Sequence, residues 1–491
     1  MLRIDGAALT PDAVAAVARS GERVELDARA GERNASAYAA IAGRLQRGEA
    51  LYGASTGVGA LRDQSIDETD RERLQWNLLR SHAHSAGSPV APEKVRAAMV
   101  VRANQLAGGG AGVAPELFEA LIDAINDGLT PFTREVGSLG TGDLAGLADV
   151  ALVLLGEGSV WRDGDVVPAP PAGRMIRLGL RDALGFMSSN AFTAGQAALI
   201  CVDGRNLLRA WLAVAALSFE ALRADPVVLE ERVQIAHGMP GQIAVARLMR
   251  ELLAGAELGR DDPDRLVQDP YPFRVLPQVD GVTLGALEAL ELVVARELNA
   301  RPENALVEDG EALPNGNFHA AELAAALDRL RVALAQSSSL IAARVSALLE
   351  PRMSGLPPFL AERPGVDSGV MMLEYTAQAA AAEARSLSTS MAAQSVTASL
   401  GVETHASLAP IAARHTVHTL DALRVLVATE LVVSVRALVM AGREPRGAGS
   451  RSLFEAARSA LPSGLADRRF GEDVETAASV LDGWKRGQAG A

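Results

Sequence analysis

The chain is 491 residues long, carries a formal net charge of −13, and is 49% hydrophobic yet only 4% aromatic. Such a length exceeds what one compact core usually organises, so several subregions or a long helical bundle are expected. The acidic balance excludes a nucleic-acid partner, which requires a positive face, and the single cysteine, Cys201, excludes an intramolecular disulfide or a cysteine metal cluster.

With aromatics scarce, Ala, Leu and Val must do the packing. Ala and Leu are strong helix formers and Ala lets helices approach one another, so the fold class reads as all-α. The opening Met1-Leu2-Arg3-Ile4-Asp5 lacks the basic-then-apolar pattern of a secretion signal, and no apolar run of spanning length is free of charge or glycine. A cytoplasmic protein without membrane association is the expectation.

In chain order, residues 11–48 mix acidic helices and turns. Tyr52-Gly53-Ala54-Ser55-Thr56-Gly57-Val58-Gly59 is too glycine-dense for a helix and reads as a loop whose backbone approaches something. Leu74-Gln75-Trp76-Asn77-Leu78 and Ser81-His82-Ala83 place polar groups on an apolar helix. The run Ala107-Gly108-Gly109-Gly110-Ala111-Gly112 ends a helix, and 116–126 is amphipathic, with Leu117, Ala120, Leu121, Ala124 and Ile125 on one face. A further irregular segment runs from Val136 to Asp143. Residues 156–176 read as a hairpin excursion, and the apolar run around Cys201 as core. From Asp280 to Gly442 the pattern is strongly helical, with long segments at 284–297, 320–349, 370–393 and 408–441 that suit a bundle, often formed across subunits. Residues 443–450 read as a linker, with 453–460 the first helix beyond it. The expected division is 1–200, carrying the Tyr52 and Thr141 loops; 201–442, a central long-helix bundle; and 443–491, a C-terminal helical segment.

Several of these segments carry groups that can do chemistry, each beside a plainer reading. Tyr52 is either a helix-end turn or a phenol on a loop, able to act as a base. His82 is either a satisfied core histidine or a functional one, and His84, two residues on, faces elsewhere, so no metal pair is expected. In Val267-Gln268-Asp269-Pro270-Tyr271-Pro272-Phe273-Arg274 the two prolines forbid a regular helix and present Gln, Tyr and Arg from a rigid backbone. Arg274 there either holds a carboxylate through paired hydrogen bonds or is an exposed loop cation.

Taken in order, these pieces resemble the histidine and aromatic amino-acid ammonia-lyases. The likeness runs from the Tyr52 loop through Ser81-His82-Ala83, the Gln268–Gln278 stretch, Gly316-Asn317-Phe318-His319, Ser354-Gly355-Leu356-Pro357-Pro358-Phe359-Leu360 and Glu403 before His405, to Asp467-Arg468-Arg469-Phe470. It implies a long central bundle of the fumarase/aspartase-like ammonia-lyase type with a smaller loop-rich N-terminal region, assembled as a homotetramer. It also implies an enzyme, a C–N lyase acting on an amino acid or aryl carboxylate. Tyr52 would be the base, Tyr271 and Glu403 would manage protons, and Arg274 would hold the carboxylate. His82, Ser188, Asn190, Gln268 and Phe318 would complete substrate binding. No bound cofactor or metal is implied, because the family's electrophile is a methylidene-imidazolone ring made from an Ala-Ser-Gly tripeptide that cyclises and loses water.

Here the chain departs from that pattern. Gly140-Thr141-Gly142 stands where Ala-Ser-Gly should be, in a loop one residue short by one alignment, and Thr141 replaces the serine by either. Water loss from Thr leaves an ethylidene whose extra methyl crowds the reactive carbon. The supporting Asn is Ser188, the loop's Asn and Phe are Ser55 and Val58, and Val402 precedes Glu403. The expectation is a lyase-family enzyme with Tyr52 as base and no functional ring. The alternatives are an ammonia-lyase or aminomutase with a Thr-derived electrophile, and a non-catalytic ligand-binding homologue.

Overall fold

The computed structural model describes residues 1–259 and 267–484. Helix dominates, as the Ala/Leu-rich composition implies, and the strands are short. The chain forms two compact units.

The first unit comprises 1–202, 290–328 and 390–414. It holds helices α1 (Pro11–Ser20), α2 (Ala28–Gln46), α3 (Arg71–His82), α4 (Pro92–Ala107), α5 (Pro115–Asn126), α6 (Leu144–Leu154) and α7 (Asp182–Met187), and the start of α8 (Ala191–Leu222). Its strands form small ladders: Leu2–Ile4 parallel to Val24–Leu26, Ala86–Pro89 antiparallel to Arg134–Val136, and the hairpin Ser159–Arg162/Asp165–Pro168 in the segment read as an excursion. Helix α4 is buried from Ala97 through Ala107, including Arg102, Asn104 and Gln105. Buried polar groups require partners, and each has one. Arg102 pairs with Glu303 at 2.9 Å, both side chains fully buried. Asn104 donates to the Leu298 carbonyl at 3.0 Å, and Gln105 to Asn190 Oδ1 at 3.2 Å. The glycine run after α4 ends it as expected, with Gly108 at the C-cap.

The second unit comprises 203–289, 329–389 and 415–491. Its described part is helical, built from most of α8, then α9 (Glu231–His237), α10 (Pro240–Leu252), α11 (Tyr271–Arg274), α14 (Pro351–Ser354), α15 (Met371–Ser386), α17 (Ala448–Ala460) and α18 (Phe470–Gly483), with the larger parts of α12 (Leu276–Leu298), α13 (Ala321–Leu349) and α16 (Ala409–Met440). Small residues let α10 and α12 touch: a methyl on Gly241 would lie 2.1 Å from the Gly281 carbonyl oxygen. The core is partly polar. Arg344 grips Glu430 at 2.7 and 2.9 Å, Ser218 donates to the same carboxylate, and Ser337 donates to Asp280 at 2.7 Å. Helix α13 is long and apolar enough to cross a membrane by composition, but 72% of its most apolar window is buried within the protein.

Three local readings need correction. The double-proline segment makes one helical turn, Tyr271–Arg274, because Pro272 sits in the first turn, where no intrahelical N–H bond is lost. Helix α15 ends at Ser386 rather than near 393, where Ser386-Leu387-Ser388-Thr389-Ser390 offers hydroxyls that compete for the backbone. Helix α17 begins at Ala448, inside the segment read as a linker.

Candidate active site

The first unit gathers loops that are far apart in sequence. Tyr52 is half-buried, and its phenol oxygen accepts the Gly59 backbone N–H at 2.8 Å. The loop is held from beneath. Gln75 on α3 donates to the Gly53 carbonyl at 3.0 Å and accepts from Ala183 N, while Arg181 donates to the Tyr52 carbonyl at 3.2 Å. Arg181 is fully buried and also donates to the Asn304 and Ala305 carbonyls; burial pushes its pKa down to about 10.

The segment 398–408 reaches three other loops. Ser399 packs against Gly59 of the Tyr52 loop: a methyl on Gly59 would lie 2.9 Å from Ser399 Oγ. His405 Nδ1 lies 3.0 Å from His319 Nε2, so one ring N–H donates to the other ring and ties this segment to the turn carrying Phe318. Ser407 donates to the Gly140 carbonyl at 2.9 Å, and Leu408 N to the Leu139 carbonyl at 2.9 Å. Tyr52, Phe318, Glu403 and Gly140-Thr141-Gly142 therefore belong to one connected set of loops. Phe318 and Glu403 are both half-buried.

The Thr141 loop is also clamped from its other side. Ser138 Oγ lies 3.1 Å from the Gly142 carbonyl and 3.0 Å from Asp143 Oδ1, and Asp143 N donates to the Ser189 carbonyl at 2.6 Å. Asp143 is buried, which pushes its pKa up, although Thr193 donates to it through N–H and hydroxyl. Gly140 has φ +85°, and a methyl there would lie 2.1 Å from Ser407 Oγ. Alanine is therefore excluded unless Ser407 moves.

His82 ends α3. Its Nδ1–H donates to the Leu78 carbonyl at 2.8 Å, leaving Nε2 as an acceptor, and burial lowers its pKa. His84 reaches the Thr141 loop, with Nε2 3.2 Å from the Gly137 carbonyl oxygen. Ser188 is buried, its hydroxyl accepting from Asn304 N at 3.2 Å. Asn190 is 2% exposed with both amide ends engaged, accepting from Gln105 at 3.2 Å and donating to Glu297 at 2.5 Å. Each end of the amide thus has one partner in the scaffold. Glu297 is itself largely buried, which raises its pKa.

The second unit carries the remaining residues. Gln268 and Tyr271 are exposed, and the Arg274 guanidinium sits 5.7 Å from the Tyr271 ring centre, a cation–π distance. Phe273 anchors this turn, fully buried and edge-on to Phe219 at 5.2 Å.

Sequence reasoning missed Ser407, Arg181 and Gln75. Ser407 precedes a helix, where Ser ordinarily signals a cap, and it does accept from Ala409 N at 3.3 Å. Its second bond, to residue 140, has no local signature.

Residues 9–459 match the aromatic amino acid lyase profile. Histidine ammonia-lyase of Geobacillus kaustophilus is 36% identical over 445 residues, 89% of this chain and 88% of that protein. Tyrosine aminomutase of Streptomyces globisporus superposes with TM-score 0.93 at 29% identity, covering 98% of this chain and 96% of that one. The ergothioneine-degrading ergothionase of Treponema denticola does so with TM-score 0.93 at 26% identity, covering 98% of each chain. The chain thus belongs to the aromatic amino acid lyase family, as an enzyme of the carbon–nitrogen lyase kind.

Proposed function

We propose that this enzyme acts on an amino acid or a related carboxylate through acid–base chemistry centred on Tyr52, without a functional methylidene-imidazolone. The family builds that electrophile from its own chain, and Gly140-Thr141-Gly142 fits it poorly. The observation that carries this reading is the hold on the loop, where Ser407 donates to the Gly140 carbonyl at 2.9 Å beside a Thr141 that stands for the ring-forming serine. Thr141 adds a methyl to the carbon that a substrate amine would attack.

Tyr52 takes the substrate proton. It does so as the phenolate, its own proton having gone to solvent, and is returned to the phenol by the transfer; the Gly59 N–H, 2.8 Å from the oxygen, keeps the ring oxygen in place. Neutral His82 offers Nε2 as an acceptor to a substrate N–H or O–H. We assign proton handling to Glu403 and Tyr271, carboxylate binding to Arg274 with Gln268, and the apolar wall to Phe318. Ser188 contributes through the backbone it supports. Without an electrophile to activate an amine, the substrate must bring its own acidic proton or good leaving group, in an elimination, isomerisation or cyclisation. Assembly as a homotetramer is part of this reading.

The 36% identity to histidine ammonia-lyase supports a second reading, in which Thr141 yields an ethylidene analogue of the ring and ammonia is eliminated. Intact mass separates the two, since ring formation removes two waters. A turnover screen of histidine, tyrosine, phenylalanine and ergothioneine, the compounds named by the family's relatives, then identifies the substrate class. Wild-type protein at its full sequence mass with turnover that Tyr52→Phe abolishes supports the proposal. A protein two waters light refutes the ring-free chemistry, and full activity in Tyr52→Phe refutes the base. Binding without turnover across the screen, read by thermal shift, would instead mark a non-catalytic homologue.

A further inference from the structure

We infer that Ser407 is a positioning residue that holds the Thr141 loop in its open-chain form, an inference that rests on the ring-free reading above. Ser407 is 2% exposed and lies just before the helix Ala409–Met440. Its hydroxyl donates to the Gly140 carbonyl at 2.9 Å, and the next residue, Leu408, donates its N–H to the Leu139 carbonyl at 2.9 Å. Leu408 has φ +53°, a left-handed conformation that a branched side chain rarely adopts without surrounding support. Two consecutive carbonyls of the loop are thus pinned by two consecutive residues of one segment.

Ring closure would need the Gly142 nitrogen to bond to the Gly140 carbonyl carbon, whose oxygen leaves as water. The hydroxyl of residue 141 then leaves with its Cα hydrogen as the second water. A hydrogen bond to a carbonyl already facing its attacker would assist that step. Here both reacting residues contact Ser138 Oγ, which accepts the Gly140 N–H at 3.4 Å, but the carbonyl that must be attacked is held from a separate segment. The Gly140 oxygen is held by Ser407, while Gly142 is held through its own carbonyl by Ser138 at 3.1 Å and through the following Asp143 N–H by Ser189 at 2.6 Å. Approach of nitrogen to carbon has to move atoms that these holds fix. The same Ser407 oxygen occupies the space an alanine methyl needs at 140, and Pro410 Cδ stands 3.2 Å from that methyl position. One side chain therefore both fixes the carbonyl and excludes the family's first ring residue.

The test rebuilds the tripeptide with and without this residue. Gly140→Ala/Thr141→Ser restores Ala-Ser-Gly, and Ser407→Gly is added in a second protein; both are purified whole and read by intact mass and circular dichroism. The expected result is full sequence mass for the double variant and a fraction two waters lighter for the triple. A double variant that cyclises as fully as the triple overturns the inference, as does a folded triple variant at full mass. Should the rebuilt loop fail to fold, Ser407→Ala decides alone: amide hydrogen exchange across 139–143 is expected to accelerate roughly tenfold on loss of one buried hydrogen bond, and unchanged exchange overturns the inference. Wild-type protein already two waters light would instead overturn the ring-free reading on which this rests, so the two failures are distinguishable.

Discussion

Replacing Asp280 by Asn is expected to stabilise the protein at neutral pH. Asp280 lies fully buried in the second unit, one carboxylate oxygen accepting from Ser337 Oγ at 2.7 Å and the other without a well-formed hydrogen bond. Burial pushes its pKa up to about 6, with nearby Glu430 adding to the rise and Arg344 and Ser337 opposing it. A folded-state pKa above the unfolded one means that the protonated acid favours folding. That contribution is complete below the unfolded value of 3.8 and is lost as pH rises through about 6. At pH 7.5 the charge therefore costs on the order of 3 kcal/mol, from the interval between 3.8 and about 6 at roughly 1.4 kcal/mol per pH unit. Asn keeps an acceptor for Ser337 and carries no charge. Denaturant melts of wild type and Asp280→Asn, run from pH 4 to 8, should show the variant's advantage greatest above pH 7 and fading below pH 5. Taking the difference between the two proteins cancels the other titrating groups. A variant less stable than wild type at pH 7.5, or a difference flat across the range, would refute the reasoning and make Asp280 a favourable partner of Arg344.

Tyr52→Phe should remove turnover of the true substrate while leaving the melting temperature nearly unchanged, because the bond lost is one to Gly59 N within the same loop; steady-state kinetics beside a thermal melt checks this. Arg102→Met leaves Glu303 buried and unpaired and should cost about 3–5 kcal/mol in a denaturant melt; a loss below 1 kcal/mol would show that the pair is better hydrated than its full burial implies. Phe273→Ala should cost about 3–5 kcal/mol through the cavity it opens. Arg274→Lys should raise KM more than it lowers kcat, since a point charge replaces a planar fork.

Much of the fold was legible because helix periodicity is local. The apolar stripes at 116–126, 320–349 and 408–441 led to helices whose ends fall within a residue of those bounds, Pro115–Asn126, Ala321–Leu349 and Ala409–Met440. The 32-residue Ala191–Leu222 helix was visible only in part, because a helix buried on most of its faces shows no clear polar side to mark it. The site was legible as segments, through runs such as Tyr52–Gly59 and Gly316–His319, but their meeting was not. Asn190 shows the gap: its bonds to Gln105 and Glu297, 85 and 107 positions away, have no signature in the residues around it.

By itself, then, the sequence determined that the chain is helical, acidic and without an intramolecular disulfide, and that Thr141 sits where a ring-forming serine is expected, since these depend on residue identity and short-range order. Only tertiary structure decided that Gly140 has no room for a methyl, that Ser407 donates to its carbonyl, and that His405 reaches His319. Those contacts join residues between 86 and 267 positions apart, and packing geometry, unlike helix period, leaves no trace in the local order of residues.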